Sequence, residues 1–114
     1  MAIEVDGRLI GEIQTYVLPN RPLDLGVYEF GIALYEPGDR GKGFGTEAVR
    51  LFVGWLFLRG ARRVQGAAAV TNTPMRRVFQ KLGFEEVGPV DVDGVPEILF
   101  KISRSEWESS GPVA

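Results

Sequence analysis

The sequence predicts an α+β fold: a mixed, mainly antiparallel sheet with a βαβ crossover at its centre. Three observations point there. The first third of the chain reads as strands broken by turn signals. A glycine-rich stretch then opens a long apolar helix that leads into a further strand, and the chain closes on two strands joined by Asp93-Gly94. Strand–helix–strand order implies a right-handed crossover and a parallel pair, whereas Asp-Gly between apolar runs implies antiparallel hairpins. At 114 residues one core is expected, because a chain of this size buries roughly 60–70% of its unfolded surface.

Taken in order, Ala2 to Val5 is a short strand, Asp6-Gly7 a turn, and Leu9 to Val17 a longer strand with imperfect alternation. Pro19-Asn20-Arg21-Pro22 is a loop, since two close prolines defeat both helix and sheet. Val27 to Tyr35 is the third strand, interrupted by Gly31, and a glycine there marks a bulge or the close approach of another backbone or a ligand. The first helix starts at about Gly43 or Thr46 and runs to Leu58. Its stripe is Val49, Phe52, Val53 and Leu56, widened by Leu51, Trp55 and Leu58, so burial around most of its girth is expected. Arg59-Gly60 supplies a cationic last turn and a C-cap.

Arg63 to Val70 is a small-sided strand that should pair parallel with the third. Thr73 caps a short helix with Pro74 at its first position; Met75, Val78, Phe79 and Leu82 form its apolar face and Gly83 ends it. Phe84 to Val90 and Glu97 to Ile102 are the last strands. Ser103 and Glu106 form a capping-box pair before a final turn that carries Trp107. The expected organisation is one domain over residues 1–107 and a flexible tail over 108–114.

Composition narrows the function classes. Apolar residues at 45% and charged residues at 25% fit a globular domain and exclude a disordered, collagen-like or coiled-coil chain. No apolar run approaches the roughly 18 residues that cross a bilayer. A net charge of −2, from 13 basic and 15 acidic residues, gives no attraction to bulk nucleic acid or an anionic membrane, so neither is an expected partner. Cysteine and histidine are both absent, which excludes a disulfide framework, a thiol nucleophile and any Ser-His-Asp mechanism; no metal is expected. The first seven residues lack a basic start followed by an apolar stretch, so a cytoplasmic location is expected.

Most functional information lies in Arg40-Gly41-Lys42-Gly43-Phe44-Gly45-Thr46. Glycines let successive backbone N–H groups converge, and the helix that starts there adds orphan donors and a positive dipole end. Phosphate or pyrophosphate suits such a site, with Arg40 and Lys42 adding charge; a ligand-free turn fits the same residues. A Walker A loop fails because Lys42 is followed by Gly43 rather than Ser or Thr. The dinucleotide fingerprint fits Gly43 to Ala48 formally, but the acidic residue due about 20 positions later is missing from Arg63 to Val70.

The run Arg40-x-x-Gly43-x-Gly45 after a strand resembles the acyl-CoA pyrophosphate loop of the GNAT N-acetyltransferase superfamily. Asn72 and then Val78-Phe79-Gln80-Lys81-Leu82-Gly83-Phe84 resemble its later helix-to-strand segment. Glu29-Phe30-Gly31, Gly43 to Ala48 and the ending Ser103 to Trp107 are similar to the ribosomal-protein-alanine (RimJ/RimL-like) branch. The resemblance implies acetyl-CoA as donor and a primary amine (a protein N-terminus, peptide or small molecule) as acceptor. It implies that Ile32, Ala33 and Leu34 bind the pantetheine arm through their backbone. Gly41, Gly43, Phe44, Gly45 and Thr46 would hold the pyrophosphate beside Arg40 and Lys42, and Asn72 would contact the arm from the far side. The alternative is a non-catalytic CoA-binding module.

Acetyl transfer needs a neutral amine, and a lysine-like amine costs about 4.6 kcal/mol to deprotonate at pH 7, against about 2 kcal/mol for release of a thiolate. The base therefore matters more than the acid. Glu29, where the resembling branch carries a glutamate, is the first candidate and Glu97 the second; Glu47, at a helix N-terminus, reads as structural. The oxyanion would take a backbone N–H near Leu34. Two departures stand out. Phe79 occupies the position of a presumed tyrosine acid, where it serves as a core aromatic in the cofactor segment, leaving Tyr35 or water to assist the thiolate. Met1 falls almost on the second strand of the family pattern, so a homodimer, or a piece lacking its N-terminal strand and helices, is expected.

Overall fold

The computed structural model describes residues 2–17, 26–34 and 43–109. The expectations that fall on Met1, the loop at Leu18 to Leu25, Tyr35, Arg40, Gly41, Lys42 and the tail from Ser110 lie outside the described residues. The elements are β1 (Ala2–Val5), β2 (Arg8–Val17), β3 (Val27–Leu34), α1 (Phe44–Leu58), β4 (Arg63–Ala69), α2 (Thr73–Lys81), β5 (Glu85–Val92), β6 (Val95–Ser103) and α3 (Arg104–Ser109). The sheet runs β1-β2-β3-β4-β6-β5. Only β3 and β4 pair parallel; the other neighbours are antiparallel. The expected α+β architecture, with its crossover at the centre, is what the chain forms. No described helix is long and apolar enough to cross a membrane.

Both Asp-Gly turns close two-residue hairpins. Asp6 and Gly7 have φ of 52° and 78°, and Asp93 and Gly94 have 51° and 82°, the double left-handed pattern that matches strand twist. The Asp91 carboxylate accepts from the Gly94 N–H at 2.8 Å.

On α1, Val49, Phe52, Val53 and Leu56 are buried, as their spacing predicts, and join Ile13, Phe30, Val64, Phe100 and Ile102 in one core. The widening residues do not follow them. Leu51, Trp55 and Leu58 are 62%, 39% and 88% exposed, because among the described residues only α3 reaches the outer side of α1. Trp107 lies against Gly54 and the Phe57 ring, centroids 5.9 Å apart. Trp55 instead stacks on Phe52 and lies under the Arg59 guanidinium, 4.9 Å from the ring centroid.

The second half of the core is aromatic. Phe79 stacks on Phe100 at 4.6 Å and meets Phe84 and Phe30 at 5.1 and 5.7 Å. Gly66 lies beneath it: a Cβ there would come within 2.9 Å of Phe79 Cζ, which explains why β4 is small-sided at this point. The N-cap of α2 is Asn72 rather than Thr73, its Oδ1 accepting from the Met75 N–H at 3.2 Å, so Pro74 falls inside the first turn. The capping box forms as expected: the Ser103 N–H donates to Glu106 Oε1 at 3.0 Å and the Glu106 N–H to Ser103 Oγ at 3.1 Å. It opens α3, which runs through Ser109.

Opposite residues on neighbouring strands share a face. Tyr28, Val64 and Ile102 form one row and Gly66 and Phe100 part of the next, all toward α1 and α2. The intervening row, Glu29, Gln65, Lys101 and Glu85, therefore faces the other way. Among the described residues no helix covers that side.

Candidate active site

The centre of the sheet is incompletely paired. The β3–β4 ladder contains Val27–Arg63, Tyr28–Val64 and Glu29–Gln65 and then ends. Both strands continue, β3 paired with β2 as far as Leu34 and β4 paired with β6 as far as Ala69. From Phe30 and Gly66 onward, among the described residues, the two strands are held only from outside, so alternate N–H and C=O groups on their inner edges lack a strand partner there. An extended ligand can add itself to such an edge as a further strand. Ile32, Ala33 and Leu34 lie on this part of β3.

The opening faces the carboxyl ends of the two parallel strands, where ligands of α/β crossovers bind. Gly43 is the N-cap of α1, at φ 83°, a left-handed conformation that favours glycine, and among the described residues no side chain caps the helix. Its first N–H groups therefore keep their capacity to donate. A Cβ on Gly45 would meet nothing within 4 Å among the described residues, so a ligand can approach that backbone closely. Thr46 is half-buried in the same turn. Glu47 pairs along the helix with Arg50. Phe44 turns toward β1, lining a small cleft with Ile3, Val5, Ala48 and Leu51.

Glu29 occupies the last rung of the central ladder and is half-buried on the helix-free face. Burial pushes its carboxyl above the usual value of 4.5, and the negative charge of Glu97 pushes it further. Glu97 lies opposite Ala69 on β6, on the same face. Beside Glu29 on that rung is Gln65, only 9% exposed. Gln65 was not among the sequence-derived candidates. The available signal was one carboxamide in a strand otherwise small and apolar from Val64 to Ala69.

Two further expectations resolve locally. Asn72 is exposed and its side chain caps α2. Phe79 is 1% exposed, its ring wholly engaged in the aromatic core, with Cζ toward Gly66, one residue past the last paired rung. It packs this end of the cleft and presents no hydroxyl to it.

Residues 1–85 match the sequence model of the acetyltransferase (GNAT) domain. The human alpha/beta-tubulin-N-acetyltransferase 9 is 34% identical over 101 residues, which are 88% of this chain and 47% of that protein; the chain thus spans about half the length of that relative. Among solved structures, AAC(6')-Ib with paromomycin and acetyl-CoA superposes with a TM-score of 0.84 at 28% identity, over 97% of this chain and 67% of that one. The ribosomal-protein-S5-alanine acetyltransferase of Vibrio fischeri shares the fold, with a TM-score of 0.74 at 22% identity over 90% of this chain and 58% of that one. Sequence and fold agree: the chain belongs to the GNAT acetyltransferase family.

Proposed function

We propose that this chain carries the acetyl-CoA-binding and catalytic half of an N-acetyltransferase that acts on a primary amine. The observation that carries the reading is the coincidence, on one rung, of a carboxylate with a raised pKa and the end of the central ladder. Acetyl-CoA supplies the acyl group as a thioester. The inner edge of β3 at Ile32 to Leu34 suits its pantetheine amides, and the uncapped start of α1 at Gly43, Gly45 and Thr46 suits its pyrophosphate. Arg40, Gly41 and Lys42 precede that turn in sequence and complete the proposed phosphate site; Phe44 opens the helix beside it, and Asn72, at the start of α2, contacts the pantetheine arm from the far side.

Glu29 accepts the proton of the attacking amine, through water where the acceptor stands off. Every unit by which burial and Glu97 raise its pKa removes about 1.36 kcal/mol of mismatch with the amine. A backbone N–H near Leu34 stabilises the oxyanion, and the thiolate leaves with help from water or Tyr35, because Phe79 has no proton to give. A thiol pKa near 8.5 asks for only about 2 kcal/mol at pH 7.

Calorimetry with acetyl-CoA and amine-dependent thiol release over an acceptor panel test the proposal. Glu29→Gln is expected to lower turnover at least tenfold while the Kd for acetyl-CoA stays within about twofold, the behaviour of a general base that does not bind the donor. Equal loss in both would remove Glu29 from the chemistry. Binding without turnover for every amine would leave a CoA-binding module, the reading favoured by the half-length match to the relatives. We place the protein in the cytoplasm, and β1, the edge strand of the sheet among the described residues, is the surface through which two copies would form a homodimer.

A further inference from the structure

The far wall of the cleft is β4 and the turn that follows it. The Val70 N–H donates to the Pro96 carbonyl on the β6 side at 3.2 Å. Successive residues of a strand direct their backbone polar groups to opposite sides, so Ala67 and Ala69 direct theirs into the opening beyond the last rung with β3. The chain then turns at once. The Asn72 N–H donates to the Ala69 carbonyl at 2.8 Å, and Asn72 Oδ1 accepts from the Met75 N–H. With its oxygen held there, the Asn72 carboxamide presents its NH2 as a donor. Arg76 spans this turn: Nη1 donates to the Val70 carbonyl at 3.1 Å, and Nη2 lies 3.9 Å from Glu86 on β5. Its Nε is buried and, among the described residues, has no hydrogen-bond partner. An unmet buried donor costs stability, and a cation near the start of a helix opposes the helix dipole. The fold alone gives little reason for an arginine here.

We infer that Arg76 is a positioning residue for the acyl donor. By holding the Val70 carbonyl it fixes how β4 leaves the sheet. That sets the direction in which Asn72, and the inner edge at Ala67 and Ala69, meet the pantetheine arm. The inference rests on the donor site proposed above and adds to it a residue that acts through its neighbours, without touching the donor. The chemistry is specific. A guanidinium is a planar fork that reaches acceptors on two elements at once, here the turn and β5, whereas a lysine ammonium is a point charge on a flexible stem. Glu86, the second acceptor, stands where β5 shifts register, an irregularity of the kind that re-aims a side chain.

Calorimetry with two ligands and one spectrum test this on the full chain. CoA carries the pantetheine arm; ADP carries a diphosphate without it. Arg76→Gln is expected to raise the Kd for CoA about three- to thirtyfold, the range for coupling through a residue that contacts neither partner. The Kd for ADP should stay within about twofold. Arg76→Lys, which keeps the charge and can keep one bond, should recover part of the loss. Glu86→Gln should act in the same direction and more weakly, as a half-exposed pair does. Equal weakening of CoA and ADP is what a merely structural or long-range charge role predicts, and it overturns the inference. So does unchanged CoA binding in folded Arg76→Gln. Should that variant not fold, wild-type CoA affinity in both Arg76→Lys and Glu86→Gln overturns it instead. Without any ligand, the Asn72 side-chain NH2 resonances, assigned by their loss in Asn72→Ala, should shift in Arg76→Lys, and their constancy overturns the inference as well. A wild-type protein that does not bind CoA refutes the donor site itself and the inference with it, whereas CoA bound equally by wild type and variants refutes Arg76 alone.

Discussion

Gly66 lies where β4 passes under the aromatic core, and the space above it is occupied. A Cβ added there would lie 2.9 and 3.2 Å from Phe79 Cζ and Cε1 and 3.3 Å from Phe30 Cε1. Neither ring can simply swing aside, because Phe79 is stacked on Phe100 at 4.6 Å and braced edge-on by Phe84 at 5.1 Å. Overpacking of this kind costs about 1–3 kcal/mol. Gly→Ala also removes freedom from the unfolded chain, a gain of about 0.4–1 kcal/mol. The net expectation for Gly66→Ala is a loss of about 1–2 kcal/mol, or a fall in Tm of about 4–8 °C for a domain near 100 residues. Thermal and urea unfolding followed by circular dichroism measure it, with the urea slope unchanged.

The cause is separable from the cost. Phe79→Leu withdraws the ring edge that the new methyl would strike, so in that background Gly66→Ala should cost almost nothing. The double-mutant coupling should then be about 1–2 kcal/mol, within the range for residues in contact. An equal or higher Tm for Gly66→Ala, or the same cost in both backgrounds, refutes the close-packing account of β4.

Glu29→Gln should change stability in a pH-dependent way. The folded-state pKa of Glu29 lies above its ordinary value of 4.5, so the native state binds the proton more readily and stability falls as pH rises through that window. The variant should therefore gain on the wild type between mildly acidic and neutral pH in paired denaturation curves; a constant difference would contradict the raised pKa. Asn72→Ala should cost about 1 kcal/mol as loss of an N-cap, and Asn72→Asp should recover most of it. Equal unfolding midpoints for all three proteins would show that the cap contributes nothing.

The elements that sequence periodicity located are those whose partners are near in the chain or generic in kind. The two Asp-Gly hairpins, the buried stripe of α1 and the Ser103–Glu106 box each need only local geometry or an apolar neighbour of any sort. The exposed side of α1 was not legible for the complementary reason. Leu51 and Trp55 continue the apolar surface, and whether anything covers them depends on how many layers the fold builds. Thr73 and Asn72 are both competent caps; the choice turned on one residue of register, which propensity does not resolve. Gln65 was invisible because its meaning lies in its opposite number on β3, thirty-six positions earlier in sequence, and in the ending of a ladder between strands joined by a helix.

Two groups on the β3–β4 pair run against ordinary packing logic. Glu29 is partly buried in surroundings that disfavour its charge, and Gln65, only 9% exposed, sets a polar side chain beside it. Either substitution to an apolar residue of similar volume would suit the fold at least as well. They are not scattered: both lie on one rung, and that rung is the last before β3 and β4 stop pairing. Departures from local consistency gather at functional sites, and here the backbone departs at the same place as the side chains. The glycine turn at the head of α1 can be understood as a helix start with no ligand at all. The Glu29–Gln65 rung has no such self-sufficient explanation, which is why it, rather than the phosphate loop, carries the case for catalysis.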